Sequence, residues 1–205
     1  MKSGKPSKPP RHDAEAGRQV ELPIARPEGG GRRVAITGNR GITSEDREKI
    51  RVKVRELVAN PRVAAIFFGG ATGADTEALA TALEARGEGG NRRTGNREQG
   101  TGQMGEGGDG ARPRLIVIVP DTLEGQPRET WETSRRADDI VELGHPIRVE
   151  DRWRAYHVRN QRLVAEATDL VAFWNGDPRS GTAATIGLAR KRGLGVEIVK
   201  VEGGD

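Results

Sequence analysis

The sequence predicts an α/β protein, a Rossmann-like three-layer sandwich with a mainly parallel sheet. Three observations carry this. The apolar runs VAAIFF (63–68) and LIVIV (115–119) are continuous rather than alternating, as in strands buried on both faces. Stretches with helical spacing of apolar residues separate such runs. Glycine-bearing turns follow three of the strands directly, which is how a strand hands over to a helix in this class.

The elements can be read in order. RVAIT (33–37) is a short strand ending at Gly38, and Thr43 or Ser44 then caps a helix with Ile50, Val54, Leu57 and Val58 on one face. The strand at 63–68 leads into a helix over about 75–86 with Leu79, Ala82 and Leu83 inward. After the strand at 115–119 a weaker helix is expected around 129–142, then a strong one over 151–167 whose inward stripe is Trp153, Tyr156, Asn160, Leu163 and Ala167. LVAFW (170–174) is a strand, 181–192 a helix closed by Gly193, and VEIVKV (196–201) the last strand. Right-handed crossovers then bring all strand C-terminal ends to one edge, where open α/β sheets bind ligands.

Two segments stand apart. Residues 1–32 are rich in Pro, Gly, Lys and Arg, and residues 87–113 are glycine-dense and polar. Neither can bury enough apolar surface to repay ordering, so the first reads as a disordered basic tail and the second as a flexible insertion in a domain spanning 33–203. They also explain why only 34% of the chain is hydrophobic.

Composition excludes several function classes. With no cysteine and only His12, His145 and His157, disulfides and a zinc constellation are excluded, and no metal and no cofactor is expected. No run approaches about 18 apolar residues and no apolar stretch follows the basic N-terminus, so a cytoplasmic protein without membrane association is expected. The net charge is +4, but the tail holds seven basic and four acidic residues and the insertion four of each. The remainder is nearly neutral, which argues against a folded basic face gripping duplex DNA. Oligomeric state is left open, a homo-oligomer included.

The candidate chemistry lies in the three loops: Gly38-Asn39-Arg40-Gly41, Gly69-Gly70-Ala71-Thr72-Gly73-Ala74-Asp75, and 175–182 with Ser180, Gly181 and Thr182. Glycine lets backbone N–H groups approach an anion, and a following helix N-terminus adds positive potential, so together they read as a phosphate cradle. Singly, each loop reads as a tight turn. None carries G-x-G-x-x-G or a P-loop pattern, which removes the standard dinucleotide and ATPase readings. Asp75 also reads as a helix-start charge, and Ser180 and Thr182 as helix caps. Asn160 is either bonded to a loop backbone or a ligand contact, and Arg159 either reaches a phosphate or lies, as arginines usually do, on the solvent face.

Read together, TGNRGIT, GGATGAD and YHVRNQRLVAEATDLVAFWNGDPRSGTAATIGLARKRG resemble the SLOG superfamily, above all its small bacterial YspA-type members. That group contains the DNA recombination-mediator A proteins and the LOG phosphoribohydrolases. The resemblance runs from about Arg33 to Val201 and is interrupted by the insertion. It implies a Rossmann-like fold with a nucleotide-derived ligand or single-stranded DNA at the loops. Gly69, Gly70, Gly73 and Asp75 would form one wall, Arg159 and Asn160 another, and Ser180, Gly181 and Thr182 an anion-facing helix start.

Three functions follow from it. The favoured one is binding of a nucleotide-derived small molecule, as in a sensor, which suits a near-neutral core. The second is binding of single-stranded DNA, for which Arg40, Arg159 and Arg179 are compatible but aromatics, at 3%, are scarce. The third is LOG-like cleavage of a nucleoside 5′-monophosphate. It is disfavoured because the position of the LOG glutamate is Thr185.

Overall fold

In the computed structural model, which describes residues 30–88, 112–150 and 152–204, six strands alternate with helices. The strands are β1 (Arg32–Gly38), β2 (Val63–Phe68), β3 (Arg114–Val119), β4 (Asp139–Glu142), β5 (Asp169–Trp174) and β6 (Gly195–Lys200). The helices are α1 (Ser44–Ala59), α2 (Ala74–Glu88), α3 (Trp131–Ser134), preceded by a 3₁₀ turn at Arg128–Thr130, α4 (Arg152–Glu166) and α5 (Gly181–Lys191). The tail read over 1–32 and the insertion read over 87–113 lie, except at their edges, outside the described residues.

The sheet order is β4-β3-β2-β1-β5-β6, and every pairing is parallel. This is the expected α/β Rossmann-like class. The chain winds outward from β1 to β4, then returns through α4 to lay β5 on the other side of β1. A topological switch point therefore falls between β1 and β5, where neighbouring loops leave toward opposite faces.

Each face of the sheet has its own core. Val34, Ile36, Ile66, Phe68, Val117 and Phe173 pack with Ile50, Val54 and Leu57 of α1 and Ala78, Leu79 and Ala82 of α2. The alternate positions Ala35, Ala65, Phe67, Ile116, Ile118 and Ala172 pack with Leu163 and Val164 of α4 and Ile186 and Ala189 of α5. Each fully buried Val, Leu, Ile or Phe contributes about 1.5–3 kcal/mol, against at most about 1 kcal/mol for an exposed ion pair, so these two layers carry the stability.

Local signals explain the helix ends. Thr43 caps α1 in a reciprocal box: its side chain accepts from Asp46 N–H while the Asp46 carboxylate accepts from Thr43 N–H. Asp46 is fully buried and accepts also from the N–H groups of Glu202 and Gly203, at 2.9 and 3.1 Å. The segment after β6 is thereby tied to the start of α1. Gly193 follows α5 with φ +76°, the left-handed conformation that stops the helix.

Two expectations are corrected. The helix expected around 129–142 is a 3₁₀ turn and α3 only, and its last four residues are β4. Ile140 and Val141 are β-branched, and the edge of β3 has hydrogen bonds to fill: Asp138 N–H donates to Leu115 O, and the Asp138 carboxylate accepts from Leu115 N–H. The inward face of α4 is also turned from the expected stripe. Leu163, Ala167 and Asn160 are inside as expected, but Trp153 is 65% exposed while Ala155 and Arg159 are buried.

Candidate functional site

The loops after β1, β2 and β5 leave adjacent strand ends, and most of their polar groups are used to hold one another. Asn39 N–H donates to Phe173 O and Ala74 N–H donates to Asn39 O, so the turn after β1 bridges β5 and α2. A Cβ on Gly38 would lie 2.5 Å from the Ala74 Cβ, which explains the glycine by packing. Gly70 and Gly73 have φ +65° and +80°, and a Cβ on Gly73 would overlap the Arg40 carbonyl.

Asp75 sits at the start of α2, 4% exposed, and takes more than a helix-start role. Its Oδ2 accepts from Gly69 N–H at 3.0 Å and Ala71 N–H at 3.4 Å, closing the loop after β2 on itself. The same oxygen lies 3.5 Å from Arg159 Nη1. A Cβ on Gly69 would overlap that guanidinium, so the arginine needs the glycine. Arg159, read as a solvent-facing residue by default, is 7% exposed: its charge is brought inside by a partner from the other face of the sheet. Burial pushes the Asp75 carboxyl up against the opposing pull of Arg159 and the two N–H groups, and pushes the Arg159 guanidinium down.

Beside this pair opens a cleft of about 400 Å³ over the ends of β1, β2 and β3. Arg40, Thr72, Gln126, Arg152 and Tyr156 line it, and among the described residues no carboxylate does. The Tyr156 ring lies 5.2 Å from the Arg40 guanidinium and 5.7 Å from that of Arg159. Arg159 Nε is buried without a hydrogen-bond partner among the described residues. Like charges held this close work against each other, and Arg40 adds to the lowering at Arg159. An anion would relieve that tension.

Of the residues read from sequence, Arg40 and Thr72 reach this cleft, with Arg159 and Asp75 behind it through Tyr156. Ser180, Gly181 and Thr182 do not line it. Ser180 caps α5, accepting from Ala183 N–H and Trp174 Nε1 and donating to Asp177 O, while Thr182 is buried. Asn160 is 7% exposed, and no hydrogen bond of its amide is found among the described residues. Asn39 Oδ1 is likewise buried and unpaired.

Sequence reasoning missed Gln126 and Arg152 and took Tyr156 for core. A signal for Gln126 was present: Gly125-Gln126-Pro127 belongs to a fourth loop, after β3, that leaves the same edge. Among the described residues there is no group of three His, Asp or Glu side chains able to hold a metal, and no helix long and apolar enough to cross a membrane.

No protein-family model matches the chain, and no curated protein matches it. Solved structures do. DNA processing protein A (DprA) of Streptococcus pneumoniae superposes with a TM-score of 0.58 at 15% identity, over 82% of this chain and 50% of that one. The chain has a DprA-like fold. DprA of Helicobacter pylori, whose single-stranded DNA binding mode has been described, gives 0.54 at 20% identity over 81% of this chain and 64% of that one. The molybdenum cofactor binding protein of the phototrophic bacterium Rippkaea orientalis gives 0.53 at 16% identity over 83% and 77%. The DprA-like fold is thus the Rossmann-like architecture implied by the SLOG resemblance, and the chain spans half the length of the pneumococcal protein and about two thirds of that from H. pylori.

Proposed function

We propose that this is a cytoplasmic ligand-binding protein whose cleft takes the phosphate of a nucleotide-derived molecule, as a sensor would. The observation that carries the reading is the charge of the cleft: Arg40 and Arg152 line it, Arg159 stands behind Tyr156, and among the described residues no carboxylate lines it. Guanidinium groups suit phosphate because their planar N–H pairs match its oxygens. Thr72 adds a hydroxyl at the wall, and the mouth lies over strand C-terminal ends, where this architecture holds ligands. The solved neighbours support ligand binding in general, one being described by its single-stranded DNA binding and one by a molybdenum cofactor.

Binding is favoured over hydrolysis. Thr185, at the position of the LOG glutamate, is fully buried and its hydroxyl donates to Gly181 O at 2.9 Å. Asp75 is committed to Arg159 and two backbone N–H groups.

A thermal-shift panel of nucleoside mono-, di- and cyclic phosphates tests the reading. Ligand at about 100 times its dissociation constant should stabilise the protein by about 2.7 kcal/mol, and unphosphorylated nucleosides should do much less. No response to any phosphate across the panel would defeat it.

A further inference from the structure

The segment after β6, residues 201–204, stays at the sheet edge where the cleft opens. Val201 is 1% exposed, and its N–H donates to Trp174 O at 3.3 Å. The next two N–H groups, of Glu202 and Gly203, donate to the buried Asp46 carboxylate. Between these anchors the backbone crosses the switch point: a Cβ on Gly203 would lie 3.1 Å from Nδ2 of Asn175, just after β5, and 3.2 Å from Nδ2 of Asn39, just after β1. The segment is a strap from the end of β5 to the start of α1. Capping does not account for it, since the box between Thr43 and Asp46 is complete without the two bonds from residues 156 and 157 positions further along.

Its far end meets the loop that carries Arg40. A Cβ on Gly41 would overlap the Gly204 carbonyl, and a Cβ on Gly73 would overlap the Arg40 carbonyl, so the backbone of Arg40 and Gly41 is in close contact with both the strap and the loop after β2. The side chain has little else to place it. Arg40 is exposed, lies against the Tyr156 ring and makes no ion pair among the described residues. A guanidinium on a flexible stem must be ordered when it takes a ligand, and that cost falls when its backbone is already fixed.

We propose that the strap, pinned by Asp46, positions Arg40 for phosphate, so that strap closure and ligand binding favour each other. This rests on the phosphate reading of the cleft. Asp46, Gly203 and Gly204 are positioning residues: none lines the cleft, and they act through the backbone of Arg40 and Gly41. Gly203 is the turning point, since its φ of +77° directs the strap to Asp46 and on to Gly41. With the strap open, the loop is released on that side and the apparent affinity falls with the closed fraction.

The test is calorimetric titration of the full chain with inorganic pyrophosphate, AMP and ADP, repeated for Gly203→Ala, Gly193→Ala, Arg40→Ala and the double variant Gly203→Ala with Arg40→Ala. Gly193 is the matched control. Its φ of +76° brings alanine the same backbone strain, but it lies before β6 at the opposite edge of the sheet. Gly203→Ala should weaken probe binding about tenfold by lowering the closed fraction, while Gly193→Ala leaves affinity unchanged and lowers the melting temperature at least as much. On the Arg40→Ala background Gly203→Ala should bring no further loss, because the strap acts through that side chain. An affinity in Gly203→Ala equal to or above that of the unaltered chain overturns the strap's role and leaves the cleft reading standing. So does an equal loss in Gly193→Ala, or a full further loss on the Arg40→Ala background. Binding of no probe by the unaltered chain overturns both.

Discussion

Arg159 Nη1 lies 3.5 Å from Asp75 Oδ2, and this contact joins α4 on one face of the sheet to the start of α2 on the other. It closes the C-terminal edge beside the loop after β2, which is held also by its bonds to Asp75 and by Ala74 N–H donating to Asn39 O. Because both partners are buried, removing one leaves a charge without compensation. Arg159→Ala should therefore cost about 3–5 kcal/mol in urea unfolding, and Arg159→Met combined with Asp75→Leu should cost less than either single change. A double variant whose loss equals the sum of the singles would show that the two side chains are not coupled.

Gly73 and Gly176 separate two reasons for a glycine. Both have positive φ, +80° and +95°, but a Cβ on Gly73 would overlap the Arg40 backbone whereas one on Gly176 meets open space. Gly176→Ala should cost only the backbone term, about 1–2 kcal/mol. Gly73→Ala should cost more and should also disturb ligand binding, since it displaces Arg40. Equal melting temperatures for the two variants would contradict the overlap.

Asp46 ties three N–H groups, from Thr43, Glu202 and Gly203. Desolvation acts to raise its carboxyl, but these bonds outweigh it and hold the group below its ordinary value. With the folded value depressed, the stabilisation is fully present above the unfolded value of about 3.9 and is lost as pH falls through the lower folded value. Asp46→Asn should destabilise by about 1–3 kcal/mol at pH 7, and the gap to the unaltered protein should narrow below pH 4. Unfolding curves that keep the same gap at both pH values would refute this.

Arg40 and Arg152 are both exposed at the cleft, so neither is needed for folding. Arg40→Ala and Arg152→Ala should each weaken phosphate binding roughly ten- to a hundredfold with little change in melting temperature. Titration of each variant with the strongest ligand from the thermal-shift panel measures this, and undiminished affinity in both would move the site away from the cleft.

Outside 129–142, strand and helix order, a cap at Thr43 or Ser44, the stop at Gly193 and the parallel class were legible in the sequence, because each rests on local chemistry: continuous apolar runs, a hydroxyl at a helix start, a glycine at its end. So was the convergence of the strand-end loops, which follows from parallel connectivity and right-handed crossovers. The segment 129–142 was not, because four residues of β4 gain their place from the open edge of β3 and not from their own propensity.

The facing of α4 was decided the same way. Helical spacing marks a stripe, but a single charged partner turned Arg159 inward and left Trp153 in solvent, and that partner, Asp75, is 84 residues away in the chain. The cleft is likewise a tertiary object, since Arg40, Thr72, Gln126 and Arg152 come from four separate segments. The sequence by itself determined which elements form and at which edge their loops gather. Which side chains are spent holding the loops together and which are left for a ligand was decided only by long-range pairing, because burial of a charge depends on a partner that local sequence does not contain.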